Sequence, residues 1–252
     1  MIPVERQKRL LNLIQQQNVI SIATLTEQLG VSHMTIRRDI QKLEDDGKVV
    51  SVSGGVQLLE RLSFEPTHDD KSLLFQDEKK RIGKKSAEMI GKNLTVYLDA
   101  GTTTFEIARK IAYRTDLLVI TNDFAIADFL MNYGQCELIH TGGSVNKSNR
   151  SSVGELAAQF LRNVSIDIAF ISTSSWNLKG LTTPDENKIP VKKAIVQSAT
   201  QNVLVTDSSK YGKVATFLLF PLSVFDYIIC DNGLIKNAQD AISEINIELI
   251  LV

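Results

Sequence analysis

The stretch GVSHMTIRRDIQKLEDDGKVVSVSGGV, residues 30–56, carries the pattern that decides the fold of the N-terminal part. A short turn through Gly30, Val31 and Ser32 leads into a helical pattern with two unlike faces. At about 100° per residue, Ile36, Ile40 and Leu43 fall on one side, ready to bury. Met34, Arg37, Arg38 and Gln41 fall roughly opposite, and Ser32 stands where an N-cap is expected. Gly47 ends this helix, expected over 32–46, as glycine beyond a last turn commonly does. Residues 48–52 and 56–58 then alternate around Ser53, Gly54 and Gly55, which predicts a short antiparallel hairpin. Arg37 and Arg38 alone would fit a solvated helix face. A helix fixed by a tight turn, with arginines and hydroxyl groups facing out near its start, suits the major groove of DNA.

Upstream, residues 4–16 read as a helix with Leu10, Leu11 and Ile14 on one stripe. Residues 18–22 interrupt it with a short β segment. A second helix runs to Leu29 and presents Leu25 and Leu29. Its start has two candidates, Ser21 as cap or Thr24 with Glu27 as a capping box. Three helices and a hairpin make a winged helix-turn-helix. The run from Val31 to Val56 closely resembles the signature of the DeoR-type bacterial transcriptional regulators. That resemblance implies that Thr35-Ile36-Arg37-Arg38-Asp39 lies on a recognition helix and that the Gly54-Gly55 pair tips a wing. Ser32, His33 and Thr35 are then candidate donors to phosphates or base edges, and Arg37 and Arg38 candidates for phosphate or guanine. Met34 either touches a thymine methyl or packs; Gln41 and Lys48 complete the set. Members often carry Arg and His before the glycine pair, where this chain has Ser51 and Ser53. Wing contacts are therefore weaker here or made by Lys48 alone.

Charge sets a limit on that reading. The 252 residues hold 28 Lys and Arg against 29 Asp and Glu, a net charge of −1. Residues 1–60 hold seven of each, so no bulk field draws the chain to nucleic acid, and placement of charge must serve instead. Apolar and charged fractions of 43% and 23% are those of a globular protein. No apolar run approaches the roughly 18 to 20 residues that cross a bilayer. The opening MIPVERQKRL lacks the apolar core of a signal peptide. Cys136 and Cys230 lie far apart in apolar stretches, as buried reduced thiols do, and a cytoplasmic location is expected.

Residues 59–74 mix charge with Pro66 and show no clean period, so they read as a linker between a DNA-binding domain (1–58) and a larger domain (75–252). A helix is expected over 76–90. Strand-like runs follow at 95–99, 117–122, 136–141, 166–173, 202–207, 227–231 and 248–252, with helical segments such as 103–112, 155–161 and 191–199 between them. Nearly wholly apolar strands alternating with helices predict an α/β domain, Rossmann-like, with a mainly parallel sheet covered on both faces. Ligands in such sheets collect at the carboxyl ends of strands. There the chain places Asp99-Ala100-Gly101-Thr102-Thr103-Thr104, then Thr121-Asn122-Asp123, Thr141-Gly142-Gly143, and Asp207 to Gly212 with Lys210. Gly101, three hydroxyls and a helix N-terminus make a phosphate cradle. Neither a dinucleotide fingerprint nor a Walker A loop is present. Each cluster taken singly fits a helix cap or turn; four at successive strand ends point to a site.

Together these clusters resemble the effector domain of the same family, which is similar in fold to ribose-5-phosphate isomerase. The resemblance implies a phosphorylated sugar or sugar acid as effector, with Asp99, Gly101, Thr102, Thr103, Thr104, Thr121, Asn122, Gly142, Gly143 and Lys210 lining its pocket. It also implies a repressor of a sugar or sugar-acid catabolic operon, acting as a homo-oligomer on a double-stranded operator. Residues 180–183 read as a loop able to close over a ligand, Trp176 as a packing residue, and Lys192 and Lys193 as a solvated helix face. His68 and His140 lack partners at metal-ligand spacing, so neither metal nor cofactor is expected. Two other functions fit the same architecture. One is a sugar-phosphate isomerase with a DNA-binding appendage, using Asp99, Asp207, Glu186 and Lys210 as acids and bases. The other is a regulator whose second domain only oligomerises.

Overall fold

The chain opens with α1 (Pro3–Gln17), β1 (Val19–Ile20), α2 (Ile22–Leu29), α3 (His33–Asp45), β2 (Val49–Val52) and β3 (Gly55–Leu58). The structure is a computed structural model and describes residues 1–17, 19–52 and 55–252, Val52 through its backbone alone. It divides into one unit of Met1–Arg61 with Ile235–Asn237 and another of Leu62–Leu234 with Ala238–Val252.

The first unit is a winged helix-turn-helix. Ser21 is the cap of α2, its hydroxyl accepting from Thr24 N at 3.0 Å, so Thr24 lies inside the helix. Gly30 takes the left-handed conformation (φ 63°) that stops α2 and turns the chain toward α3. Ser32 caps α3 through Thr35 N at 3.2 Å. At the other end, Lys48 N donates to Leu43 O and Gly47 N to Glu44 O, the paired bonds of a Schellman motif. Leu10, Ile14, Leu25, Leu29, Ile36, Ile40, Leu43, Val49 and Val56 bury together. Each such side chain contributes about 1.5–3 kcal/mol on leaving water. In the small sheet, of order β1-β3-β2, Gly55 belongs to strand β3 rather than to the turn. A Cβ there would stand 2.3 Å from the Ile20 carbonyl oxygen, so β1 requires glycine at this position. The expected turn residues Ser53 and Gly54 lie outside the described residues.

In the second unit, β4 (Glu60–Leu62, reaching back into the first), α4 (His68–Leu73) and α5 (Gln76–Glu88) precede β5 (Thr95–Leu98) and α6 (Thr102–Ile111). The segment read as a linker therefore contains ordered elements. Thr67 and Asp70 form a capping box for α4, a helix too short to show a period. Next come β6 (Leu118–Thr121), α7 (Phe124–Tyr133), β7 (Glu137–His140), a hairpin of β8 (Ser144–Asn146) and β9 (Ser151–Val153), and α8 (Glu155–Leu161). Then follow β10 (Ile166–Ser172), β11 (Ser175–Asn177), β12 (Gly180–Thr183), α9 (Lys188–Ser198) and β13 (Ala199–Val205). The chain closes with β14 (Lys213–Ala215), β15 (Phe217–Phe220), β16 (Tyr227–Cys230), α10 (Lys236–Ser243) and β17 (Glu248–Leu251).

Seven of these strands form one parallel sheet in the order β17-β16-β13-β10-β5-β6-β7, as the apolar runs predict. Val96, Leu98, Val119, Ile168, Phe170, Val203 and Val205 pack with Ile82, Ile107 and Ile126 of α5, α6 and α7. Strand order reverses direction between β5 and β10, since β6 and β7 build outward on one side and β10 onward on the other. That reversal opens a crevice at the carboxyl ends of β5 and β10. Residues 180–183, expected as a loop, form the central strand of an antiparallel sheet, β11-β12-β15. Trp176 on β11 is fully buried and meets Tyr211 edge-on at 5.0 Å, a packing residue as read. Cys230 is a buried free thiol and Cys136 a half-buried one.

Candidate functional site

The outer face of α3 exposes Ser32, His33, Met34, Arg37, Arg38 and Gln41, with Thr35 half-buried. Ser32 spends its hydroxyl on the cap, and Gln41 leans on Asp45 at 3.2 Å. Lys48 pairs with Asp46 at 2.9 Å. What holds this face still is Asp39, 3% exposed on the opposite side of the helix. Its carboxylate accepts from the Arg6 guanidinium and from Gln7 Nε2 at 3.0 Å, tying α3 to α1. Arg6 was legible only as one base among seven, because its partner lies 33 residues away.

A second site forms where β5 and β10 end. Asp99 follows β5 and is 1% exposed. It accepts from Ser172 N and Oγ at 2.9 and 3.0 Å and from Lys192 Nζ, which also donates to Ser172 O at 2.6 Å. This corrects the reading of Lys192 as solvated. It turns inward from α9 and is buried, while Lys193 remains exposed. Burial pushes the Lys192 ammonium below its usual range, and Asp99 opposes that shift. Gly101 permits the next step of the chain: a Cβ there would stand 2.8 Å from Ser172 Oγ.

The cavity over this junction is lined by Asp99, Gly101, Thr102, Thr103, Asn122 and Lys210 from the expected set, and by Lys71, Lys188, Lys192 and Glu65 besides. Glu65 accepts from Lys71 Nζ at 2.8 Å and from Lys188 Nζ. Burial raises the Glu65 carboxyl, but Lys188 and Lys71 outweigh it and hold it at about 2. Lys210 pairs with Asp207 at 3.1 Å. Four lysines thus line the cavity against the carboxylates of Glu65 and Asp99 in the lining and Asp207 behind Lys210, an excess of one positive charge. Thr103 Oγ1, Ser151 Oγ and Asp99 Oδ1 are buried in this lining without a hydrogen-bond partner among the described residues. Buried polar atoms rarely remain unsatisfied, so such atoms mark a place for a polar ligand.

Other expected residues do structural work outside the lining. Thr104 Oγ1 donates to Asp99 O at 2.6 Å and Gly101 O at 2.7 Å, locking the turn into α6. Thr121 Oγ1 donates to Leu98 O at 2.7 Å and accepts from Asp123 N at 3.0 Å. Asn122 lines the cavity, yet its amide is engaged by Tyr97, Ala100 N and Ser152 O. The structure does not bring Gly142 and Gly143 to the cavity. They turn the chain after β7 with φ of 65° and 113°, and Gly143 packs against Ala157. Glu186, an acid–base candidate, is likewise absent from the lining. Lys71, Lys188 and Glu65 escaped sequence reading because no motif surrounds them. The one signal was a cluster of charge beside Pro66.

Family models match both parts of the chain: a DeoR-like helix-turn-helix domain over residues 6–61 and a DeoR C-terminal sensor domain over 75–232. An uncharacterized HTH-type transcriptional regulator of Haemophilus influenzae is 73% identical over 252 residues, covering 100% of this chain and 98% of its own. The glycerol-3-phosphate regulon repressor of Escherichia coli is 29% identical, with 90% of each chain covered. Among solved structures, ribose 5-phosphate isomerase A of Methanocaldococcus jannaschii aligns at 17% identity and TM-score 0.40 over 54% of each chain.

Proposed function

The chain belongs to the DeoR family of transcriptional regulators, and from that premise we propose that it represses a sugar or sugar-acid catabolic operon until a phosphorylated sugar or sugar acid enters the cavity at β5 and β10. It is a regulator with a DNA-binding helix-turn-helix and not an isomerase. The observation that carries the effector reading is the gathering of four lysines in a lining that also holds unpartnered buried hydroxyls. Lysines suit a phosphate as compact point charges, and the N-terminus of α6 adds its dipole. A relative named for a glycerol-3-phosphate regulon supports a phosphorylated ligand.

On the DNA side, Arg37 and Arg38 pair with phosphate or guanine, flanked by Ser32, His33, Met34, Thr35, Gln41 and Lys48. Two winged helices of a homo-oligomer read two half-sites in the cytoplasm, and effector binding favours an arrangement with the wrong spacing. A coupling of about 1 to 3 kcal/mol changes DNA affinity about 5- to 150-fold.

Thermal-shift screening of phosphorylated sugars and sugar acids tests this, followed by DNA binding with each hit on fragments selected from a random pool. Lys210→Ala should abolish the shift and leave DNA binding in place, whereas Arg37→Ala or Arg38→Ala should do the reverse. Hits that leave DNA affinity unchanged remove the switch. If no phosphorylated compound raises the melting temperature, the sensor reading fails and a purely oligomerising second unit takes its place.

A further inference from the structure

Glu65 sits where an anionic ligand is expected, and it lies on the segment that leaves the DNA-binding unit. Arg61 ends the first unit's run, and Glu65 follows four residues later. Its carboxylate is about one-tenth exposed and bridges Lys71 of α4 to Lys188 of α9. Asn149 completes the clamp, donating to Glu65 at 3.3 Å and accepting from Lys71 Nζ at 2.5 Å. Beyond this cluster, α4 is tied to the β8–β9 hairpin by His68 N to Ser148 O at 2.8 Å and by the exposed pair Arg150–Asp69 at 2.8 Å, and to α5 by Lys79 Nζ, which donates to Lys71 O and, at 2.6 Å, to Leu74 O. Those ties begin at His68, so among the described residues the Glu65 clamp is the buried charged fastening of residues 62–67.

We propose that Glu65 is a built-in occupant of the cavity's anion site, and that a phosphorylated effector takes Lys71 and Lys188 by displacing it, releasing residues 62–67 while α4 stays seated. The proposal rests on the reading of the cavity as the effector site. Two anions cannot share one pair of lysines without repelling each other, so ligand and carboxylate compete. With Glu65 gone, Lys71 and Lys188 lose their carboxylate partner while Lys192 and Lys210 keep theirs, and two freed lysines suit a doubly charged phosphate. Displacement links occupancy of the cavity to the tether of the DNA-binding unit and needs no rearrangement of the parallel sheet. A seated competitor also raises the apparent dissociation constant by the inverse of the fraction of time the site is free.

The experiment uses the full chain with inorganic phosphate as probe, a thermal shift to report binding, and amide hydrogen exchange over residues 62–67 to report the tether. Phosphate should speed exchange there in the wild type. Glu65→Gln should exchange fast with or without phosphate and bind phosphate about tenfold more tightly, as for a competitor seated about nine-tenths of the time. Removing a negative charge strengthens anion binding even where the side chain stays put. Exchange is therefore the deciding readout, and the wild type alone supplies it should the variant fail to fold. Phosphate that binds while exchange over 62–67 slows or stays constant overturns the proposal and spares the effector site. Phosphate that gives no thermal shift in either protein overturns the proposal, and the effector site then stands or falls on the screen of phosphorylated sugars and sugar acids.

Discussion

Lys192 and Lys193 are chemically identical neighbours, yet one is buried against Asp99 and the other faces solvent. The sequence reads both as a solvated helix face, and it places the start of α9 at residue 191. The helix starts at Lys188, with Pro190 in its first turn, where a missing N–H costs nothing. Packing of α9 against β10 and β13 then aims Lys192 inward. Lys192→Met should leave Asp99 as an uncompensated buried charge and cost about 3–5 kcal/mol of stability. Urea unfolding of the variant checks this, and adding Asp99→Asn should recover part of the loss. A cost below about 1 kcal/mol would mean that the pair is solvated in solution.

At the level of elements, legibility followed length and period. The caps and turns of α2 and α3 and the seven strands of the parallel sheet all announce themselves in local chemistry. A six-residue helix such as α4 does not, and its charges look like a linker until their partners are known. Gly55 shows the same boundary. Its place beside Gly54 suggests a turn, but the reason for glycine is the backbone of β1. Gly55→Ala should push β3 from Ile20 and destabilise the winged helix by about 1–3 kcal/mol. DNA affinity should fall while the thermal shift given by a cavity ligand stays intact. Loss of both together would contradict the confinement of this contact to the first unit.

For the whole molecule, the proposed switch carries a thermodynamic requirement. If effector binding lowers DNA affinity by some factor, DNA must lower effector affinity by the same factor. Titrating a hit from the thermal-shift screen into the free protein and into its DNA complex measures both sides of that cycle. Unequal factors would show that more than the two binding events is being recorded.

Local patterns were enough to establish a winged helix-turn-helix followed by a parallel α/β domain, because caps, glycine turns and hydrophobic periods act over a few residues. The same patterns found the β5–α6 cradle, since strand end and helix start adjoin in the chain. Only the tertiary structure decided which charges meet there. Lys188 reaches Glu65 across 123 residues and Lys192 reaches Asp99 across 93. Those meetings follow from the strand order that sets β10 beside β5, and from the packing that turns one face of α9 toward the crevice. Neither leaves a local mark, because a lysine destined for a buried carboxylate has the same chemistry in the chain as one destined for water.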